Sequence, residues 1–111
     1  MEIRRPTYFV LAALLDGPLH GYAIIGRAAE LSDGEVQLST GTLFGALDRL
    51  AESGLVEAGE EERVGGRVRR AYTLTDDGHA ALEAEAARLR RAVRVVESQA
   101  VRVRVASAES S

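Results

Sequence analysis

The chain has 111 residues, of which 46% are hydrophobic and 28% charged, and its formal net charge is −3. These values are typical of one globular domain with room for one appended element. There is no cysteine, which excludes disulfides, thiolate metal sites and cysteine nucleophiles. The longest apolar run, residues 8–15, is too short to cross a bilayer, and no signal segment is recognisable, so a cytoplasmic protein without membrane contact is expected.

The charged residues are segregated along the chain. Every basic residue is arginine, and guanidinium groups suit phosphates and narrow minor grooves better than ammonium groups do. Residues 57–62 carry four acids, whereas residues 63–70 carry four arginines and no acid. Local patches rather than the net charge decide where a phosphate backbone docks.

The first half of the chain predicts two helices. The first covers residues 7–16, with Thr7 as N-cap and a stop at Gly17-Pro18. It is apolar on all sides, so one side is expected to face a partner subunit. The second covers residues 20–31, and a short strand at residues 36–38 is expected to complete a small sheet. The predicted core residues of the second helix are Ile24, Ile25, Ala28 and Leu31.

A third helix is predicted over residues 39–53, capped by Ser39. Its first turn offers free N–H groups and hydroxyls that suit a phosphate. Gly41 and Gly45 leave its outer face bare, and Arg49 is its only long donor, so little direct base reading is expected. The alternative is that Ser39 only caps the helix and the glycines only pack. The predicted buried stripe is Leu43, Ala46, Leu47 and Leu50.

A two-stranded ribbon is predicted next, turning at Gly65-Gly66 in a two-residue primed turn. That register pairs Glu62 with Arg69 and Glu61 with Arg70, and leaves Arg63 and Arg67 free near the tip. An arginine at such a tip can enter a narrow minor groove. The alternative, for Arg69 and Arg70, is that they only balance the two glutamates.

The last predicted helix starts after Thr75, its N-cap, and runs to about residue 104, followed by a flexible tail over residues 105–111. Apolar residues alternate at spacings of four and three, which is typical of a heptad seam. Val101 to Val105 also alternates like a strand, so the end of the helix is open. The seam residues are Leu82, Ala86, Leu89, Val93, Val96, Ala100 and Val103.

Together these elements predict a mainly α fold with a small β-wing, a winged helix-turn-helix plus a C-terminal helix. Over residues 7–96 the chain resembles the PadR family of bacterial transcriptional regulators, in its short branch with a single C-terminal helix. The resemblance rests on ordered motifs. They are His20-Gly21-Tyr22, Gly41-Thr42-Leu43-Phe44, Leu47 with Arg49 and Leu50, Gly54-Leu55-Val56, Gly66-Arg67, Tyr72-Thr73-Leu74-Thr75 and Gly78.

The resemblance implies a homodimeric repressor that binds double-stranded operator DNA and is often released by a small molecule, without a cofactor. Three positions depart from the family pattern, which usually has tyrosine at Phe44, commonly a basic residue near Asp48 and often proline at Thr40. The first two should weaken DNA contact or shift it elsewhere.

The sequence thus predicts a DNA-binding domain over residues 1–75 and a dimerisation helix over residues 76–104. The predicted DNA contacts are Tyr22, Ser39, Thr40, Gly41, Thr42, Phe44, Arg49, Arg63, Arg67 and Arg69. The predicted dimer contacts are Tyr8, Leu11, Leu82, Ala86, Leu89, Val93 and Val96. An effector pocket is predicted at Tyr8, Phe9, Arg90 and Arg94, although any one of these residues can equally be core or solvated surface.

Two other interpretations of the sequence are an enzyme and a winged helix that does not bind DNA. An enzyme is disfavoured, because His20 and His79 lie on different helices without ligand spacing to a carboxylate, and no phosphate loop or nucleophile–base arrangement is present. A winged helix used for protein contact or ligand sensing, with DNA affinity lost, is the rival function. Asp48, Phe44 and the acidic first wing strand favour that rival.

Overall fold

The structure, a computed structural model, describes residues 2–110. It confirms a mainly helical fold with small antiparallel sheets and a long last helix. Within the described residues, no helix is both long and apolar enough to cross a membrane. The elements in chain order are α1 (Arg5–Ala13), β1 (Leu19–His20), α2 (Gly21–Leu31), α3 (Thr40–Glu52), β2 (Val56–Ala58), β3 (Glu62–Val64), β4 (Arg67–Arg69), β5 (Ala71–Leu74) and α4 (Asp76–Ser110).

One hydrophobic core joins the first three helices to the sheet and to the start of α4. Leu11 of α1 and Ile24 of α2 are fully buried, as are Leu43 and Leu47 of the predicted α3 stripe. Leu82 of α4 is only 5% exposed and packs in the same core. The core therefore fixes the orientation of α3 relative to both α2 and the sheet.

The first helix differs from its prediction at its start and in its exposure. It begins at Arg5 rather than after Thr7, because Pro6 lies in the first turn, where its fixed φ favours helix initiation. It ends at Ala13, and Gly17 has a φ of +133° that stops the chain from continuing. Leu11 is buried in the chain's own core, so the prediction that it faces a partner is wrong.

The third strand of the core sheet is also not the predicted one. Residues 36–38 form no strand; β1 pairs instead with β5, and the sheet order is β1-β5-β2. The Val36 N–H donates to the Ser32 hydroxyl at 2.9 Å. Because a nearby side chain accepts from this backbone N–H, the segment does not need a strand partner to satisfy it. Leu31, predicted as core, is 38% exposed at the end of α2.

The last helix starts as predicted and ends later. The Thr75 hydroxyl accepts a hydrogen bond from the Gly78 N–H at 2.9 Å, which confirms the cap, and donates to the Gly54 carbonyl at 2.6 Å. The helix continues to Ser110, so the predicted end at residue 104 is wrong. Residues 79–110 contain neither glycine nor proline, so nothing in them breaks the helix. Ser111, in the predicted tail, lies outside the described residues.

Candidate nucleic-acid interface

The first turn of α3 is an exposed set of hydrogen-bond donors. Ser39 caps the helix: its hydroxyl accepts from the Thr42 N–H at 3.2 Å and donates to the Thr42 hydroxyl oxygen at 2.9 Å. The Thr42 hydroxyl therefore keeps its own proton for another acceptor. Thr40 and Gly41 are exposed, and their N–H groups have no acceptor within the described residues. This turn can hold a phosphate oxygen.

Arg49 lies in the last turn of the same helix. One of its guanidinium nitrogens would be 3.6 Å from a Cβ placed on Gly45, so the side chain runs back over that glycine. Arg49 also borders a cleft shared with Glu2 and Arg4 of the N-terminal arm. The bare surface predicted at Gly45 is thus partly covered, whereas a Cβ at Gly41 would meet nothing within 4 Å.

Phe44 is half-buried and packs against the core. Its ring tip would be 2.5 Å from a Cβ at Gly21, closer than any real Cβ contact, so only glycine leaves room for the ring. This contact joins the start of α2 to the middle of α3 and explains the glycine between His20 and Tyr22. Tyr22 itself is 65% exposed. The structure therefore supports a spacing role for Phe44 and leaves Tyr22 open to a ligand.

The wing is a regular hairpin with the predicted turn. β3 pairs with β4 so that Glu62 faces Arg69 and Val64 faces Arg67, which confirms the register. Gly65 and Gly66 have φ values of +58° and +80°, as a type I′ turn requires. Because paired residues share a face, Arg67 and Arg69 lie on one side of the ribbon and Arg63, opposite Val68, on the other.

The wing arginines differ in their partners. Arg70 donates to Glu61 at 2.8 Å, an exposed ion pair that contributes roughly 0–1 kcal/mol. Arg63, Arg67 and Arg69 form no ion pair with any described residue, although Glu62 lies opposite Arg69. The balancing role weighed for Arg70 is therefore observed, and the charges at the ribbon tip are unpaired.

A cleft between α2, α3 and the wing was not foreseen from the sequence. It has a volume of about 190 Å³, and Tyr22, Phe44 and Arg69 line it. His20 lies beside it, and its Nε2 is 3.8 Å from the Glu62 carboxylate without a hydrogen-bond partner in the described chain. Only the pairing of β1 with β5 brings His20 to the wing, and two-residue strands leave no sequence signal.

Tyr72 lines the same cleft. Burial raises the pKa of Tyr72, an effect that Arg70 opposes and Asp48 adds to. Asp48 is exposed on α3, so it puts negative potential beside the helix that the sequence assigns to DNA. Asp48, where the family commonly has a basic residue nearby, is therefore exposed to solvent.

The predicted dimer contacts on α4 divide into two groups. Leu82 is buried in the core of its own chain, so its assignment to a partner surface is wrong. Leu89, Val93 and Val96 are 38%, 55% and 70% exposed, and Val103 is 63% exposed. An apolar row of this length on an exposed helix is unusual for a monomer.

The predicted effector residues do not form one site. Tyr8 and Phe9, whose rings meet edge to face at 5.3 Å, line a cleft of about 340 Å³ with Arg4, Arg88 and Leu89. The predicted Arg90 and Arg94 line a neighbouring groove that shares Tyr8 but not Phe9. The α4 arginine that lines a cleft with both aromatic rings is thus Arg88, two residues before the predicted Arg90.

An ion pair inside that cleft was also missed. Glu85 accepts from two Arg88 nitrogens, Nε at 2.8 Å and Nη2, and its side chain is only 11% exposed. The Arg88 hydrogen bond lowers the pKa of Glu85, against a smaller opposing effect of burial. The i,i+3 spacing of the two residues is a sequence signal that predicts such a pair. Within the described residues, no cluster of acids and histidines fits a metal ion.

Comparison with known proteins identifies this arrangement. The profile of the transcriptional regulator PadR-like family matches residues 10–84, from α1 through the wing into α4. The chain belongs to this family. The PadR-like match includes the cap of α3, the Gly21–Phe44 contact and the arginine-tipped hairpin, so the winged helix is the DNA-binding fold of a family of transcriptional regulators.

One relative of this PadR-like chain comes from a bacterial transposon. An uncharacterised 37.1 kDa protein of transposon Tn4556 from Streptomyces fradiae is 48% identical over 86 residues, which are 78% of the chain but only 23% of that protein. The chain therefore spans about a quarter of this relative's length.

Solved structures share the fold. A PadR family regulator from Clostridium difficile aligns with a TM-score of 0.69 and 23% identity, covering 86% of this chain and 97% of that one. Bacillus subtilis PadR in complex with operator DNA aligns with a TM-score of 0.65 and 25% identity, covering 75% of this chain and 47% of that one.

Proposed function

We propose that this PadR-like chain is a repressor that binds operator DNA through the first turn of α3 and the tip of the wing. The observation that carries the proposal is the pair of unpaired, exposed arginines at the hairpin tip, Arg63 and Arg67. The wing can straddle a groove wall, because the two side chains lie on opposite faces of the ribbon. Operator binding by the Bacillus subtilis relative supports the same role here.

The proposed DNA contacts are of two kinds: some position the protein on the phosphate backbone, and others distinguish one DNA sequence from another. Ser39, Thr40, Gly41 and Thr42 present donors at a helix N-terminus, which suits phosphates and carries no sequence information. Arg49 adds a charge but, folded over Gly45, points along the helix rather than straight out. Sequence preference therefore depends mostly on groove shape at the wing, with Tyr22 and Arg69 beside it.

A homodimer is part of the proposal, with residues 1–75 binding DNA and α4 joining the subunits. Leu89, Val93 and Val96 form an exposed apolar row that a second copy can bury. Ala86 and Tyr8, both half-buried, extend this surface towards α1. Two wings related by a two-fold axis imply a palindromic operator whose half-sites are one helical turn, or a multiple of it, apart.

Release by a small molecule completes the proposal. The cleft beside Tyr8 and Phe9 offers an aromatic edge, an apolar wall at Leu89 and the guanidinium of Arg88. Such a lining suits a planar acid, whose carboxylate would compete with Glu85 for Arg88. A repressor of this kind acts on DNA in the cytoplasm.

Selection from a random duplex pool by the purified protein tests the DNA function. We expect enrichment of a palindrome. A pool that shows no enrichment after repeated rounds would contradict the proposal and favour the rival, a winged helix that contacts protein. That rival has one specific observation in its favour, the exposed Asp48 on α3.

Light scattering tests the dimer separately. The unmodified chain should have the mass of two copies at micromolar concentration, whereas Leu89→Arg, which places a charge in the apolar row, should give monomers. Arg102→Glu, a larger change of charge on the opposite side of α4 from the row, is the control and should remain dimeric. A monomeric parent would refute the dimer without touching the DNA assignment.

A further inference from the structure

The two parts of the chain carry opposite net charges. Residues 1–75, the winged helix, contain 11 acidic residues and eight arginines, a net charge of −3, and residues 76–85, the start of α4, add four acidic residues and no arginine. Residues 86–111 contain six arginines and two acidic residues, a net charge of +4. A winged helix with an acidic balance is poorly suited to gather DNA by charge alone, since long-range attraction depends on the summed field. The positive charge is concentrated instead on the part of α4 that follows residue 85.

Three of these arginines share one side of α4. Arg91, Arg94 and Arg102 line a shallow groove with Val95, Ser98 and Gln99. At 3.6 residues per turn, the three arginines fall within about 80° of arc and span about 17 Å along the axis. We call this surface, made of these six residues, the arginine face.

The arginine face lies away from the apolar row. The same helical geometry places it roughly 150° around the axis from Leu89, Val96 and Val103. A partner helix that covers the apolar row therefore leaves the arginine face open. The surface stays available in the proposed dimer, and each dimer presents it twice.

The charges on the face are not neutralised within the protein. No described acidic side chain forms an ion pair with Arg91, Arg94 or Arg102, and all three are exposed. Arg94 makes only a long 3.5 Å hydrogen bond from Nε to the Arg90 carbonyl. Arg88, one turn earlier, shows the contrast, because Glu85 occupies its guanidinium.

We propose that the arginine face is a second nucleic-acid surface, which binds the phosphate backbone of duplex DNA without sequence preference. Phosphates fit its chemistry, because guanidinium groups, a hydroxyl at Ser98 and an amide at Gln99 supply donors and no carboxylate interrupts them. An acidic protein segment fits less well, since the groove is shallow and offers no pocket in which a side chain could anchor.

The face compensates for the acidic winged helix. Duplex DNA carries about one charge per 1.7 Å, so a surface about 17 Å long meets several phosphates at once. Contacts of this kind hold the protein near DNA and do not choose a site. The arginine face therefore sets how tightly the dimer holds any duplex, while the wing and α3 set which duplex it prefers.

The test uses the full chain and a fluorescent random-sequence duplex, titrated by anisotropy over a range of salt concentrations. The double variant Arg91→Gln, Arg102→Gln removes two charges from the face. Each phosphate contact contributes about 0.9 to the slope of log affinity against log salt, so the slope should become shallower by about two units per bound face. Operator and random duplex should weaken by the same factor, because the contact is independent of sequence.

The double variant Arg90→Gln, Arg104→Gln is the matched control, with the same residue types and charge change on the same helix but off the face. Its slope should move by less than half as much. Circular dichroism and light scattering confirm that both variants keep the helix and the assembly. Equal effects of the two variants, an unchanged slope for the first, or displacement of the duplex by an equal charge of polyglutamate would each overturn the proposal.

Discussion

The contact between Gly21 and Phe44 makes the strongest prediction about how α3 is positioned. In Gly21→Ala the new methyl group would lie 2.5 Å from the ring tip of Phe44 and 2.9 Å from the next ring carbon. Both distances are shorter than van der Waals contact allows, so the ring or the helix must move. Overpacking of this kind costs about 1–3 kcal/mol of unfolding free energy.

Gly26→Ala in the same helix is the control. A Cβ there would meet nothing within 4 Å, so the substitution only improves helix propensity and should stabilise by about 0.8–1 kcal/mol. For a domain of this size, 1 kcal/mol corresponds to about 4–8 °C in melting temperature. Thermal unfolding at one fixed protein concentration should therefore move the two glycine variants in opposite directions.

A substitution at Phe44 tests whether steric overlap with its ring causes the loss in Gly21→Ala. Phe44→Leu removes the ring tip, so it should recover most of the loss when combined with Gly21→Ala, although alone it should destabilise the protein. Operator affinity should fall and recover in the same order, because the contact sets the distance between α2 and α3. If Gly21→Ala melts with the parent, or if the double variant is merely the sum of the singles, the packing argument is wrong.

Two further predictions concern α4. Gly78→Ala would drive a Cβ into the Leu55 carbonyl oxygen, a backbone atom that cannot easily move aside, so we expect a loss of about 1–3 kcal/mol in urea unfolding; a parental midpoint would refute the contact. The lowered pKa of Glu85 means that its bond to Arg88 stabilises the protein fully above the ordinary glutamate pKa and is lost as pH falls through the lowered value. The melting-temperature gap between parent and Glu85→Gln should therefore narrow in acid, and a gap that stays constant below pH 4 would contradict this.

The sequence predicted the elements whose signals are local. The cap at Ser39, the hairpin turn at Gly65-Gly66 and the cap at Thr75 each depend on two or three neighbouring residues, and all three are confirmed. The Glu62–Arg69 register followed from the turn length, because a two-residue turn leaves only one pairing.

The predictions that were wrong depended on contacts between residues that are far apart in the sequence. The third strand was assigned to residues 36–38 because they alternate, but the loop's backbone is held by Ser32 and the strand partner of β5 comes from β1. Leu11 and Leu82 looked like partner surface because both sit in long apolar patterns. Which side of a pattern faces the chain's own core depends on how the helices cross, and periodicity does not contain that information.

The candidate site shows the same division. The arginine-rich tip could be found from composition, and the i,i+3 spacing of Glu85 and Arg88 is a local signal for their ion pair, whereas the cleft beside His20 appeared only with the fold. Phe44 was assigned to DNA by its place in a motif. Its packing on Gly21 depends on the approach of two helices, which no spacing rule predicts.

Recognition of the operator by the wing tip can be tested directly with two variants, Arg67→Ala and Arg70→Ala. Each is titrated with the duplex recovered by selection and with a scrambled duplex. Arg67 is unpaired at the tip, so its loss should weaken operator binding by about 1–3 kcal/mol and reduce discrimination between the two duplexes. Arg70 is held by Glu61, so its loss should change binding by less than about 1 kcal/mol. If Arg67→Ala binds both duplexes as tightly as the parent, the wing is only a structural hairpin and the claim is wrong.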